Sequence, residues 1–346
     1  MQRSQVSAET HQPKVSNKSE STGGKMTSTK HLIDDITSIL EHLPDLMSKP
    51  ITADNYQEKR VAYSVIAAEM AKEHPPIEGI ETRELTAKNA QDGFEVPLFL
   101  HFPTDATAPL PCLLWIHGGG YIIGSAESDG YMAKQIALTL NCAVAVVDYR
   151  LAPEYSYPAP LQDCYAALNL IMSDAESLMI DKNKVAILGV SAGGGLAAGL
   201  SLLNRDEAGH NLCGQVLVYP MLDDTNVAPP SNPDDDFFIW QRASNLFGWQ
   251  SYLGGLFGQP DLQIYAAAAR AADLSGLPKS LVLVGDLDLF AGEDILYAGN
   301  LIKAGVPTDL HVYSGVCHGF DGIAPTSAPA QRCKQEIEIF LTDIFG

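Results

Sequence analysis

Apolar and polar positions fall into three kinds of pattern along the chain. Two early stretches, Thr82 to Thr86 and Glu95 to Phe102, alternate residue by residue, and Gln91-Asp92-Gly93 between them is a turn signal, so they predict a β-hairpin. Six later stretches are short, continuous apolar runs. They are Pro111–Ile116, Ala143–Val147, Val185–Leu188, Gln215–Tyr219, Leu281–Val284 and Asp309–Tyr313, and they suit strands buried on both faces. Helical spacing separates them, at about 129–140, 161–172, 193–204, 293–304 and 327–344. The alternation predicts an α/β fold: a doubly wound, mostly parallel, eight-stranded sheet with an antiparallel start.

Two further helical patterns precede the first strand, over 31–46 and about 53–72, with prolines at 44, 50, 75 and 76 punctuating them. One later segment breaks the strand-helix rhythm. From Met221 to about Gln263 an acidic, proline-rich loop leads into an aromatic helical pattern with Phe237, Phe238, Trp240, Phe247, Trp249, Tyr252 and Phe257. This is too long for an ordinary connection, and so many aromatics are costly to leave in water. It is expected to join the N-terminal helices as a helical cap. The predicted division is a disordered leader at 1–25, an N-terminal cap part at 26–78, core at 79–220, a cap insertion at 221–263 and core again at 264–346.

Composition narrows the function. The 346 residues carry a formal net charge of −20, which disfavours nucleic acid and anionic membrane surfaces. No apolar run reaches the ~18 residues of a membrane span, and the polar N-terminus lacks a signal peptide's apolar core. The six cysteines are scattered without a Cys-x-x-Cys, so free thiols and a cytoplasmic location are expected. No cofactor, metal-ligand or Walker motif is present.

Candidate chemistry clusters at strand ends. Gly189-Val190-Ser191-Ala192-Gly193 lies between the run Val185–Leu188 and a small-residue helix. A serine on so sharp a turn needs neighbours without Cβ atoms, and the turn lifts its hydroxyl onto a helix N-terminus. After an earlier strand, His117-Gly118-Gly119-Gly120 lets the backbone turn its N–H groups toward one point. His117 itself is expected to brace the glycines rather than move protons. His318, between Cys317 and Gly319, follows the last strand and is the candidate base. Asp286 and Asp288 both follow the strand Leu281–Val284, and either can serve as the orienting acid on position alone. The chain order Ser, Asp, His is that of the α/β-hydrolase topology.

Taken in order, His117-Gly118-Gly119-Gly120, Asp148-Tyr149-Arg150-Leu151-Ala152-Pro153-Glu154, Gly189 to Gly194 and His318-Gly319-Phe320 resemble the signatures of the hormone-sensitive-lipase-like branch of the α/β-hydrolases, a group with many bacterial carboxylesterases. The resemblance covers about residues 80–345. It implies Ser191 as nucleophile, His318 as base and Asp288, matched through Asp288-Leu289-Phe290 and Glu293, as the acid. It also implies oxyanion-hole amides on Gly118, Gly119 and Ala192. Val190 and Leu289 depart from the family, which commonly has an acidic residue or threonine at the first position and proline at the second.

The implied substrate is a small, fairly hydrophobic ester of short or medium acyl chain, with Tyr121, Trp240, Phe247 and Trp249 lining the entrance. The same residues also suit an amidase, deacetylase or lactonase, or a non-catalytic small-molecule receptor. A homodimer paired through the edge strand Asp309–Tyr313 is the expected partner.

Overall fold

A computed structural model describes residues 32–42, 49–73, 75–228 and 238–346. The predicted leader at 1–25, the second half of the first helical pattern and the acidic, proline-rich loop at 229–237 lie wholly or largely outside the described residues.

The eight strands are β1 (Ile80–Lys88), β2 (Glu95–Pro103), β3 (Leu110–Ile116), β4 (Ala143–Val147), β5 (Ile180–Val190), β6 (Gly214–Val218), β7 (Ser280–Gly285) and β8 (Thr308–Tyr313). They form one sheet in the order β1-β2-β4-β3-β5-β6-β7-β8. The β1–β2 hairpin and the β2–β4 pair are antiparallel, and every other pairing is parallel. The hairpin closes where Gly93, at φ 76°, donates to the Asn89 carbonyl.

Five of the six continuous runs become strands covered on both sides, because each face needs its own apolar layer; β8, at the edge of the sheet, is instead mostly half-buried or exposed. Along β3, Cys112, Leu114 and Ile116 join one core cluster and Leu113 and Trp115 the other. The first core is completed by α4 (Ala159–Ser173), α5 (Ala192–Asp206) and α7 (Ala291–Lys303). The second is completed by α3 (Ala126–Leu140) and α9 (Ala328–Phe345). Polar caps fix where these helices begin. Ser125 and Ser128 make a reciprocal capping box ahead of α3, and Ser327 accepts from the Ala330 amide ahead of α9.

The first of the two predicted N-terminal helices is shorter than the apolar spacing suggests, and the second lies close to its predicted bounds. The two are α1 (Asp34–Leu40) and α2 (Tyr56–Glu73). The aromatic segment contains α6 (Arg242–Leu253), and it meets the N-terminal region directly. Ser244 Oγ accepts from the Ile51 amide at 2.9 Å, and the Tyr56 and Phe247 rings lie 5.9 Å apart. Between Phe320 and Ile323 a single helical turn, α8, follows the last strand.

β3 connects to β4 on one side and lies against β5 on the other. Such a reversal opens a crevice at the carboxyl ends of the strands. Gly118 and Ser191 both stand there.

Candidate active site

Ser191 follows β5 directly and is held at φ 57°, ψ −120°, a conformation that L-residues rarely adopt. Surrounding backbone holds it there. Its amide donates to the Val218 carbonyl, and its own carbonyl accepts from the Gly195 and Met221 amides. The flanking glycines are steric requirements. A Cβ at Gly189 would lie 2.1 Å from the Gly193 oxygen, and one at Gly193 would lie 2.2 Å from the Ile116 oxygen.

The structure brings the three candidate side chains together. Ser191 Oγ is 2.9 Å from His318 Nε2, and His318 Nδ1 is 2.8 Å from Asp288 Oδ2. A carboxylate accepts, so Nδ1 carries the proton and Nε2 is free to accept from the serine hydroxyl. The other Asp288 oxygen accepts from the Phe290 amide at 2.9 Å. Asp286 points elsewhere: it is exposed and accepts from the Gly315 amide and the Ser314 hydroxyl. The imidazole of His318 is enclosed by Tyr219, Phe290 and Trp240, with ring centroids 4.7, 5.2 and 6.3 Å away.

The glycine loop lies against the elbow. A Cβ at Gly118 would meet the Val190 oxygen at 3.0 Å and Ser191 Cβ at 3.4 Å. Among the described residues, no hydrogen-bond acceptor takes the Gly118 or Gly119 amide. Ala192 opens α5, where an amide has no intrahelical partner. Three unspent N–H groups thus border the serine, an arrangement suited to a tetrahedral oxyanion.

Of the four aromatics expected at the entrance, two occupy the packed interior instead. Tyr121, turned inward by a φ of 65°, is 1% exposed and stacks on Tyr252 at 4.0 Å, and Trp249 is 0% exposed beside both. Their area is consumed by packing within the core. Of the four, Trp240 is the one whose ring lies beside His318. Its ring tip fills the space a Cβ would take at Gly120, and its Nε1 donates to Asn245. Phe247 is partly buried at the edge of the same core.

The electrostatics beneath the site are acidic. Glu293 Oε1 accepts from the Leu222 and Asp223 amides and Oε2 from Asn226, tying the segment after β6 to α7. Burial pushes its carboxyl up to about 8 against the pull of these bonds. Asp294, fully buried, is likewise raised by burial and by its acidic neighbours. Cys317 beside His318 is buried and pushed up to about 12, so it stays an inert thiol. All six cysteines are free. Among the described residues, no cluster of His, Cys, Asp or Glu is placed to hold a metal, and no helix is long and apolar enough to cross a membrane.

Two further residues of the surroundings belong to no chemical motif of the sequence. Tyr219, at φ 35° after β6, lays its ring on His318 and donates its hydroxyl to Asp321. Arg60 on α2 reaches across to the Ile122 and Ala152 carbonyls and makes a two-point ion pair with Glu154.

A family profile described as alpha/beta hydrolase fold matches residues 113–322, from the glycine-loop strand through the candidate histidine. The chain belongs to the hormone-sensitive-lipase-like branch of the α/β-hydrolases. Within this family it is 32% identical to an arylesterase of Saccharolobus solfataricus, over 77% of this chain and 84% of that protein. Carboxylesterase NlhH of Mycobacterium tuberculosis is 31% identical over 68% of this chain and 75% of its own length. A solved structure named Bacterial Heroin Esterase superposes with a TM-score of 0.85 at 36% identity, covering 92% of this chain and all of that one.

Proposed function

We propose that the protein is a serine carboxylesterase acting through an acyl-enzyme on Ser191. The esterase relatives support the reaction class. The observation that carries the mechanism is the pair of contacts Ser191 Oγ to His318 Nε2 at 2.9 Å and His318 Nδ1 to Asp288 at 2.8 Å.

Ser191 Oγ attacks the ester carbonyl carbon and passes its proton to His318 Nε2. The amides of Gly118, Gly119 and Ala192 take the developing oxyanion, each donor being worth about 3 kcal/mol in the transition state. His318 then gives the proton to the leaving alkoxide. Water, deprotonated by the same nitrogen, releases the acid and restores the hydroxyl. Asp288 holds the imidazole tautomer and stabilises the imidazolium.

The substrate class is a small, rather hydrophobic ester of short to medium acyl chain. Trp240 and Phe247 line the approach, and Tyr121 and Trp249 support them from behind. We assign the described residues within 26–78 and 221–263, with α2 and α6, to a cap over the core. Six free thiols, five of them buried, suit a reducing compartment such as the cytoplasm.

The test is hydrolysis of p-nitrophenyl acetate and butyrate with fluorophosphonate labelling of Ser191. The Ser191→Ala variant is expected to lose turnover by about 10⁴-fold or more and to lose the label, with its melting temperature preserved. Full turnover in that variant, or an unlabelled and inactive parent, refutes the reading.

A further inference from the structure

Two carbonyls in the glycine loop are held by side chains that the triad does not use. The Tyr149 hydroxyl donates to the His117 carbonyl at 2.9 Å. His117 Nδ1 lies 2.8 Å from the Gly118 carbonyl. A carbonyl can only accept, so this contact requires the proton on Nδ1. Burial also lowers the His117 pKa, which keeps the ring neutral in that tautomer. The two clamping side chains brace one another, with ring centroids 4.2 Å apart and planes 13° from parallel. Both are nearly inaccessible to water.

Peptide geometry gives these contacts a consequence. In a trans peptide the C=O and the following N–H are coplanar and point in opposite directions. The His117 carbonyl shares its plane with the Gly118 N–H, and the Gly118 carbonyl shares its plane with the Gly119 N–H. Holding each carbonyl therefore fixes its peptide plane and, with it, the direction of the N–H on the opposite edge of that plane. Glycine needs such external restraint, because it has no side chain of its own to limit φ and ψ. Gly119, at φ 115°, is in a conformation reserved for glycine.

The geometry points to Tyr149 and His117 as positioning residues that aim the Gly118 and Gly119 amides, one carbonyl each. This rests on the proposed ester hydrolysis. Neither side chain touches the substrate; each acts through the peptide plane it holds. Gly124 protects the second clamp, since a Cβ there would lie 2.5 Å from the Gly118 oxygen and 2.6 Å from His117 Nδ1.

The test compares Tyr149→Phe, His117→Phe and His117→Asn with the parent. Tyr149→Phe deletes one oxygen and keeps the stacked ring. His117→Phe keeps ring volume and removes the donor, and His117→Asn restores an amide N–H near the Nδ1 position. Outright loss of an oxyanion donor costs about 10²–10³ in kcat, so a misaimed donor is expected to cost about 10- to 100-fold.

The two Phe variants should show that loss in kcat with KM within about twofold, as expected when an interaction specific to the transition state is lost. Affinity for a trifluoromethyl ketone, whose hemiketal mimics the tetrahedral intermediate, should fall by the same factor. Affinity for the corresponding unreactive ether should not change. His117→Asn should recover most of the loss. A kcat at the parental level in both Phe variants overturns the assignment. So does a kcat loss without a matching loss of ketone affinity, or a change confined to KM. An inactive parent overturns the ester-hydrolase reading and this inference together, whereas an active parent with insensitive variants overturns the inference alone.

Discussion

Two glycine-rich turns meet at the candidate site, and they keep their shape by different means. The elbow at 189–193 is held by backbone. Its strained serine exchanges hydrogen bonds with Val218, Gly195 and Met221, and its glycines press against neighbouring carbonyls at distances no methyl group tolerates. The loop at 117–120 has backbone closure too, the Gly119 carbonyl accepting from the Ile122 and Ile123 amides, but it adds side chains: Tyr149 and His117 on its carbonyls, Trp240 against Gly120, and Arg60 on the Ile122 carbonyl that follows. The nucleophile is thus fixed by a steric constraint with no graded adjustment. The oxyanion donors are held in addition by separable side-chain contacts, each removable in part.

That contrast is open to attack in descending order of effect. Asp288→Asn leaves both turns intact and disturbs only the imidazole tautomer. A kcat loss of about 10⁴-fold is expected from steady-state kinetics, against less than about tenfold for the exposed Asp286→Asn. Comparable losses in the two variants would mean that the acid is misassigned. Gly193→Ala strikes the elbow where both turns touch, since its Cβ would lie 2.2 and 2.3 Å from the Ile116 and His117 oxygens. Backbone must move, so activity should fall by about 10²-fold. Stability should fall by about 1–3 kcal/mol, read by denaturant titration. A variant with parental activity would show that the elbow can yield, and the contrast would dissolve. Arg60→Ala tests the loop's outermost support. Its ion pair with Glu154 is partly exposed, so at most about 1 kcal/mol of stability is expected to go, with less than about a fivefold change in kcat. An Arg60→Ala effect as large as that of Gly193→Ala would place the loop under the same all-or-none constraint as the elbow.

Much of this was legible in the chain because the relevant signals are local or ordered. Ala143–Val147 is a strand at the bounds its apolar run predicts, buried at every residue. Ser191, Asp288 and His318 were legible through their order and their glycine neighbours. β5 was only half legible. It begins at Ile180, but Asp181, Lys182, Asn183 and Lys184 are polar and interrupt the apolar pattern. The choice between Asp286 and Asp288 needed family resemblance, because two residues on one turn differ only in where their side chains point. The entrance is less legible for a related reason. An aromatic-rich segment signals burial without naming the surface it is buried against, and Trp249 turns into the core while Trp240 reaches His318. Tyr149 was visible within a family signature, yet its hydroxyl acts on a carbonyl 32 residues away in sequence, a separation that no periodicity encodes.

The contact between the two turns also constrains how such a chain can diverge. Gly193 presses on the carbonyls of Ile116 and His117, and Gly118 presses on that of Val190. A substitution at Gly193 forces backbone to move, and one at Gly118 requires its neighbours to give by a few tenths of an ångström. Single-step mutational paths through this contact are therefore costly. Routes to new selectivity pass through residues with side-chain neighbours, Trp240 beside His318 among them.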